Sequence, residues 1–273
     1  MGVVIMVDSI IQALSYDFVQ NALIAGILIS LAAGIIGSLV VVNRITFLAG
    51  GIAHSSYGGI GLAIFLGLPI LLGATFFAVI SAIFIAFITQ NNKARIDSII
   101  GMMWALGMAI GIVFVDLTPG YNVDLMSYLF GSIIAVSNED ITFMAVLDVV
   151  IILSVSLFYK QILAVSYDSE FAKLRGISVK FFYTLILILA ALCVVAAIRV
   201  VGLILVIALL TIPTYIAELF ASRLSTMMII SAVFAVFFTV CGLIISYFYD
   251  ISSGASIIIV GVITLLIVKL IKR

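Results

Sequence analysis

Three ionisable side chains, His54, Asp148 and Glu218, are embedded in apolar stretches of this 273-residue chain. His54 is its single histidine, and imidazole is the commonest side-chain ligand for divalent transition metals. A titratable group at mid-membrane depth costs free energy unless it faces a cavity or a partner. One imidazole is not a metal site, and a hydrogen bond to a neighbouring carbonyl or serine would also satisfy it. Asp148 needs an interior partner or a proton, whereas Glu218 lies close enough to the end of its run to reach the interface. An intramembrane hydrolase would need two convergent groups, such as paired aspartates, serine with histidine, or a His-Glu-x-x-His zinc motif. One histidine, and Asp148 as the one acid deep in a run, argue against that class. A Gly-x-x-x-x-Gly-Lys-Ser/Thr phosphate loop is missing too, so the chain is not expected to be an enzyme that hydrolyses ATP.

The elements that must carry these residues follow from composition. Hydrophobic residues make up 66% and charged residues 9%, against roughly a quarter charged in soluble domains, and the mean hydropathy is +1.49. Such a chain has lipid for solvent. Formal charge is zero, so no basic surface argues for nucleic acid. Cys193 and Cys241 lie inside apolar runs and read as small buried hydrophobes instead of a disulfide. Asp8, Gln12 and Asp17 precede any basic residue, the wrong charge order for a cleaved signal peptide. Residues 3–14 are expected to form an interfacial helix.

The runs are continuous, not alternating, which excludes a spanning barrel and predicts an all-α polytopic protein of eight or nine membrane helices, each about 20 residues long. They fall at about 18–42, 45–67, 69–89, 97–116, 141–159, 181–199, 200–220, 225–249 and 254–271, with a short apolar piece at 125–136. The seam between the sixth and seventh runs is placed at Arg199. Cytoplasmic loops hold the excess of Lys and Arg. Arg44, Lys93, Arg95, Lys160, Lys173, Arg175, Lys180, Arg223, Lys269, Lys272 and Arg273 are therefore expected inside. The acidic stretch 116–140 and Asp250 are expected outside, with the N-terminus out.

Small residues let membrane helices approach closely. Gly26, Ser30, Gly34 and Ser38 share one face of the first run. Gly50, His54 and Gly58 share one face of the second, with Gly51, Ser55 and Gly59 one step round. In the longest inside loop, residues 165–177 read as a short amphipathic helix with Asp168 or Ser169 as N-cap, Glu170 in its first turn, Lys173 and Arg175 in its last, and Gly176 as terminator. Phe171 and Leu174 lie on one side of it. A protein groove suits such a helix better than the headgroup layer does.

The run Asp168-Ser169-Glu170-Phe171-Ala172-Lys173-Leu174-Arg175-Gly176-Ile177 resembles the membrane permeases of bacterial ABC importers for zinc, manganese and iron. So do Arg199 through Pro213, Asp124-Leu125-Met126-Ser127-Tyr128-Leu129-Phe130-Gly131-Ser132-Ile133 and Ser253-Gly254-Ala255. The resemblance covers essentially the whole chain. The resemblance implies a single transmembrane domain over 1–273 with the type II importer fold, in the bacterial cytoplasmic membrane. It further implies a homodimer, a separate cytoplasmic ATPase, an extracytoplasmic metal-binding protein, and residues 165–177 as the coupling helix. No cofactor is expected to reside in the chain; a divalent metal is the cargo. His54, Gly50, Ser55 and Pro213 are the implied pathway residues, Pro213 because it lacks an amide donor and can bend its helix.

One position departs from the family pattern. Many members of this family carry Leu-Gly-Asp-Ala-x-Ser-His-Ala in the second helix, which sets a carboxylate four residues before the histidine on one face. Here the segment is Leu48-Ala49-Gly50-Gly51-Ile52-Ala53-His54-Ser55, with Gly50 at the carboxylate position. An imidazole without a carboxylate suits zinc better than manganese, which prefers oxygen ligands. The competing class is a proton- or ion-coupled secondary transporter, which would lean on Asp148 and Glu218 and would need no ATPase.

Overall fold

The computed structural model describes residues 15–90, 95–119, 136–203 and 206–272. Residues 3–14, expected as an interfacial helix, and nearly all of the short apolar piece at 125–136 lie outside the described residues. Among the described residues every regular element is a helix. In chain order they are α1 (Asp17–Val42), α2 (Thr46–Leu66), α3 (Ile70–Thr89), α4 (Ile96–Asp116), α5 (Asn138–Leu157), α6 (Tyr159–Tyr167), α7 (Ser169–Leu174), α8 (Val179–Val201), α9 (Val206–Phe220), α10 (Leu224–Tyr249) and α11 (Ser253–Ile271). The nine expected runs correspond to α1 to α5 and α8 to α11.

Two boundaries differ from the sequence reading for identifiable reasons. The seam between the sixth and seventh runs is at Gly202, not Arg199. Gly202 takes φ +80, a conformation that only glycine adopts without strain, so α8 runs on until a glycine can end it. The fifth helix begins at Asn138 because Ser137 and Asp140 form a capping box. The Asp140 amide donates to Ser137 Oγ at 3.2 Å, and the Ser137 amide donates to Asp140 Oδ2 at 3.1 Å.

Among the described residues seven helices are long and apolar enough to cross a bilayer. α2 and α9 are the two of the nine that are not among them. α9 has only 15 residues, and α2 is diluted by His54, Ser55, Ser56 and five glycines. Both lie within the bundle, where neighbouring helices replace lipid. α1 and α8 are the most enclosed of the seven, buried over 67% and 72% of their apolar windows. Hydroxyl pairs tie helices together: Ser30 to Thr239 between α1 and α10 at 2.9 Å, Thr214 to Ser231 between α9 and α10 at 2.8 Å, and Thr89 to Tyr183 between α3 and α8 at 3.2 Å. In lipid each such bond contributes about 0.6 kcal/mol. The small-residue face of α1 closes as expected, with Gly34 against the Ala232 backbone of α10.

The charge pattern agrees with the packing. A pocket of about 600 Å³ at one end gathers Arg44, Ser166, Glu218 and Arg223, so three segments expected inside share one face. A pocket of about 490 Å³ at the other end joins Pro69 to Glu139 and Asp140, and no basic residue among the described ones lines it.

Candidate functional site

α2 has two working faces. One closes the bundle: Gly51 packs on Ile100, Ser55 on the Gly107 backbone, and Gly59 on the Gly73 carbonyl, so that α3 and α4 sit against it at backbone distance. Ser55 is fully buried there, and its hydroxyl donates to the Ile52 carbonyl at 3.1 Å. The other face carries Phe47, Gly50 and His54. Phe47 is 62% exposed, and His54 is half-buried.

His54 is held from two sides. Its Nδ1 lies 2.9 Å from the Gly50 carbonyl oxygen. A carbonyl only accepts, so Nδ1 carries the hydrogen, and in the neutral ring the lone pair is on Nε2. Among the described residues Nε2 makes no hydrogen bond. The imidazole stacks on the Trp104 indole of α4, with centroids 3.9 Å apart and planes 22° apart. α2 and α4 run parallel with His54 and Trp104 at matching depth, each eight residues from the start of its helix. Beside them, a Cβ added at Gly50 would lie 2.6 Å from Ile207 Cδ1 of α9 and 3.8 Å from the Trp104 ring.

α9 continues this open side. Ile207, Thr211, Tyr215 and Glu218 follow one another along a helix face, and a cavity of about 420 Å³ lies between Phe47, Ile207, Thr211, Tyr215 and Leu265. Further along, Glu218 lines the larger pocket at the end expected inside. Pro213 points the other way: it is buried, and the next residue, Thr214, is pinned to Ser231. Of the four pathway residues expected from sequence, His54 and Gly50 therefore share the open face, while Ser55 and Pro213 lie in contacts between helices. No cluster of three His, Cys, Asp or Glu side chains fit to hold a metal occurs among the described residues.

The segment 165–177 is the end of α6 joined at Asp168 to α7, a helix of six residues. A helix that short is not stable alone, and its ends are built accordingly. The Asp168 carboxylate accepts from the Phe171 amide at 2.9 Å, an N-cap. At the other end the Ile177 amide donates to Ala172 and the Gly176 amide to Lys173, with Gly176 at φ +74, the paired bonds of a Schellman stop. Glu170 and Lys173 pair at 2.7 Å on the exposed surface, and the Arg175 guanidinium sits over the Phe171 ring at 5.1 Å. Ala172 is buried underneath, whereas Phe171 is 47% and Leu174 is 88% exposed. Asn43, just past α1, donates to Ser166 Oγ at 2.9 Å and to Leu39 O at 2.9 Å, which ties α6 to the end of α1.

Asp148 stays apart from both sites. It is 5% exposed, and its Oδ2 has no hydrogen-bond partner among the described residues. Trp104, Ile207, Thr211 and Tyr215 were not singled out by sequence reasoning. Trp104 did carry a signal: membrane tryptophans favour the interface, and the single tryptophan of this chain sits in mid-span.

Residues 15–272 match the ABC 3 transport family. The chain belongs to that family. It is 44% identical over 270 residues to an uncharacterized membrane protein of Synechocystis sp., covering 99% of this chain and 96% of that one. It is 34% identical over 250 residues to the manganese transport system membrane protein MntC of Halalkalibacterium halodurans, covering 92% and 86%. Among solved structures, PsaBC from Streptococcus pneumoniae in complex with Fab superposes with a TM-score of 0.85 at 32% identity, covering 96% of this chain and 95% of that one. This ABC 3 family member is thus a multi-pass helical protein of the bacterial cytoplasmic membrane with an ABC permease fold.

Proposed function

We propose that this chain is the permease subunit of an ATP-binding cassette importer that carries a divalent transition metal inward, zinc ahead of manganese or iron. The observation that carries the proposal is α7. Its ends are capped, yet Leu174 is 88% exposed on it, an apolar side chain that a soluble partner would cover. That partner is a cytoplasmic ATPase, which supplies the nucleotide chemistry this chain lacks. Asp168, Glu170, Phe171, Leu174, Arg175 and Gly176 form the contact. An extracytoplasmic metal-binding protein delivers the ion, and a second copy of the chain completes the pathway along the open face of α2 and α9.

His54 meets the ion through Nε2. Gly50 supplies its carbonyl as the acceptor that orients the ring, and Ser55 and Pro213 shape α2 and α9 from behind. Transient contact by a few weak donors suits a pathway, because the ion must leave. Manganese appears in the name of a relative; zinc is preferred here because the imidazole has no carboxylate beside it.

A secondary transporter is the second reading, favoured by the unpartnered Asp148 carboxyl. Uptake of zinc and manganese into proteoliposomes holding the chain, with and without its ATPase and binding protein, separates the two. Uptake of zinc that needs all components and ATP is expected. Manganese uptake alone would overturn the metal, and uptake without ATPase would overturn the ABC reading.

A further inference from the structure

Trp104 touches neither cargo nor ATPase in the proposed function, yet its indole stacks on the imidazole. We infer that Trp104 is the positioning residue of the site. It fixes the His54 ring so that Nδ1–H donates to Gly50 and Nε2 is presented to the cargo. This rests on the reading of His54 as the residue that meets the metal.

A histidine ring is easily turned over. Rotation about χ2 is soft and nearly two-fold, and a half-turn exchanges Nδ1 with Cδ2 and Nε2 with Cε1. The bond to Gly50 O at 2.9 Å favours one of these orientations but is a single contact. The indole face at 3.9 Å and 22° walls off one side of the ring and keeps its plane, so the two contacts together leave one arrangement. An imidazole whose Nδ1–H is held by a backbone carbonyl is a primed Nε2 ligand. Trp104 holds that ligand in place before an ion arrives and need not touch the ion itself.

Ile207 stands where an oxygen-bearing side chain at position 50 would begin. At Gly50 a Cβ alone would meet Ile207 Cδ1 at 2.6 Å. That is the flexible end of a side chain, so a methyl group can be accommodated by moving Ile207. The Trp104 ring lies 3.8 Å from the same point, an ordinary contact distance, so Ile207 is the side chain that must move. Glycine at 50 leaves no oxygen side chain beside the imidazole on this face, and each copy of the chain offers one ring nitrogen. Such a donor set favours borderline ions over manganese.

The chain has one histidine and one tryptophan, so each gives a single spectroscopic signal. The experiment is solid-state NMR of ring-15N-histidine-labelled chain in its assembled transporter, in lipid without nucleotide, before and after zinc. A protonated Nδ1, an unprotonated Nε2 and a zinc shift at Nε2 are expected in the native chain and in Trp104→Phe, which keeps a stacking face. Trp104→Leu should show mixed tautomers and a rise in KM that lowers kcat/KM for zinc roughly tenfold, with ATPase assembly intact. An unchanged tautomer and KM in Trp104→Leu overturn the positioning role. The native chain gives an independent reading if that variant does not assemble: cobalt should quench Trp104 fluorescence at concentrations that saturate the Nε2 shift, and no quenching overturns the proposal. Zinc that leaves Nε2 unmoved while the tautomer is as expected overturns the reading of His54 as the cargo contact, and with it the metal-facing half of the inference.

Discussion

Gly107 of α4 and Ser55 of α2 touch backbone to backbone: a methyl group at Gly107 would overlap the Cα and carbonyl oxygen of Ser55. This contact sits one residue from His54 and one turn from Trp104, so it sets the distance between the stacked rings. Gly107→Ala is expected to force the helices apart at a cost of about 1–3 kcal/mol, lowering the melting midpoint of the purified protein and metal uptake together. Gly101→Ala on the same helix is the control. Nothing lies within 4 Å of a Cβ at Gly101, so it should be neutral or stabilise by up to about 1 kcal/mol. Equal destabilisation by both would show that close approach at Gly107 is not what holds α2 to α4.

Removal of the imidazole tests the pathway directly. His54→Ala should slow metal uptake while the chain still assembles with its ATPase. The side chain is half-buried and its hydrogen bond is to its own helix, so its loss leaves no partner on another helix orphaned. An unchanged initial rate would return His54 to the packing of α2.

The donor set makes a different prediction. Gly50→Asp alone should destabilise, because Ile207 must move aside and a carboxylate enters a buried position. With Ile207→Ala the space opens, and a carboxylate then stands four residues before His54 on the same face. The double variant should transport manganese better relative to zinc than the native chain does, measured by competition uptake. A ratio that does not move would show that selection lies outside this pair.

The bundle was legible because continuous apolar runs leave few alternatives in lipid, and even α2 and α9, weak as spans, were found as the runs 45–67 and 200–220. Two ends were misplaced where local chemistry outweighed hydropathy: the Ser137–Asp140 box pulled α5 back to Asn138, and Gly202 took the helix end from Arg199. At the site, His54 and Gly50 were visible as polar and small exceptions in one run. Trp104 and Ile207 were not, because both are apolar side chains on distant helices, and only packing brings them to Gly50. Ser55 shows the converse: polarity marked it, but the parallel contact with α4 buries it.

α7 predicts an uncoupling phenotype. Phe171→Asp or Leu174→Asp should leave the fold intact, since Leu174 is largely exposed and Phe171 about half exposed, and should separate ATP hydrolysis from metal uptake. Asp168→Ala removes the N-cap, worth about 1 kcal/mol, and should weaken coupling less than either charge. ATPase binding and ATP-driven uptake, measured on the same preparations, check both. Normal uptake in Leu174→Asp would place the docking surface elsewhere.

Asp148 decides between the two transport classes. Its buried Oδ2 accepts no hydrogen bond from the described residues, and a buried polar atom without a partner costs about 1–3 kcal/mol. If the residue is only structural, Asp148→Leu removes that cost at similar volume, so the melting midpoint should rise or hold and ATP-driven uptake should persist. Asp148→Asn keeps the shape but adds donors that also need partners, and should stabilise less. A proton-coupled carrier behaves oppositely: Asp148→Leu would be stable yet unable to transport, because the group that must take up and release a proton is gone. Stability and uptake measured on the same variant therefore give opposite signatures for a carboxyl that is merely buried and for one that works.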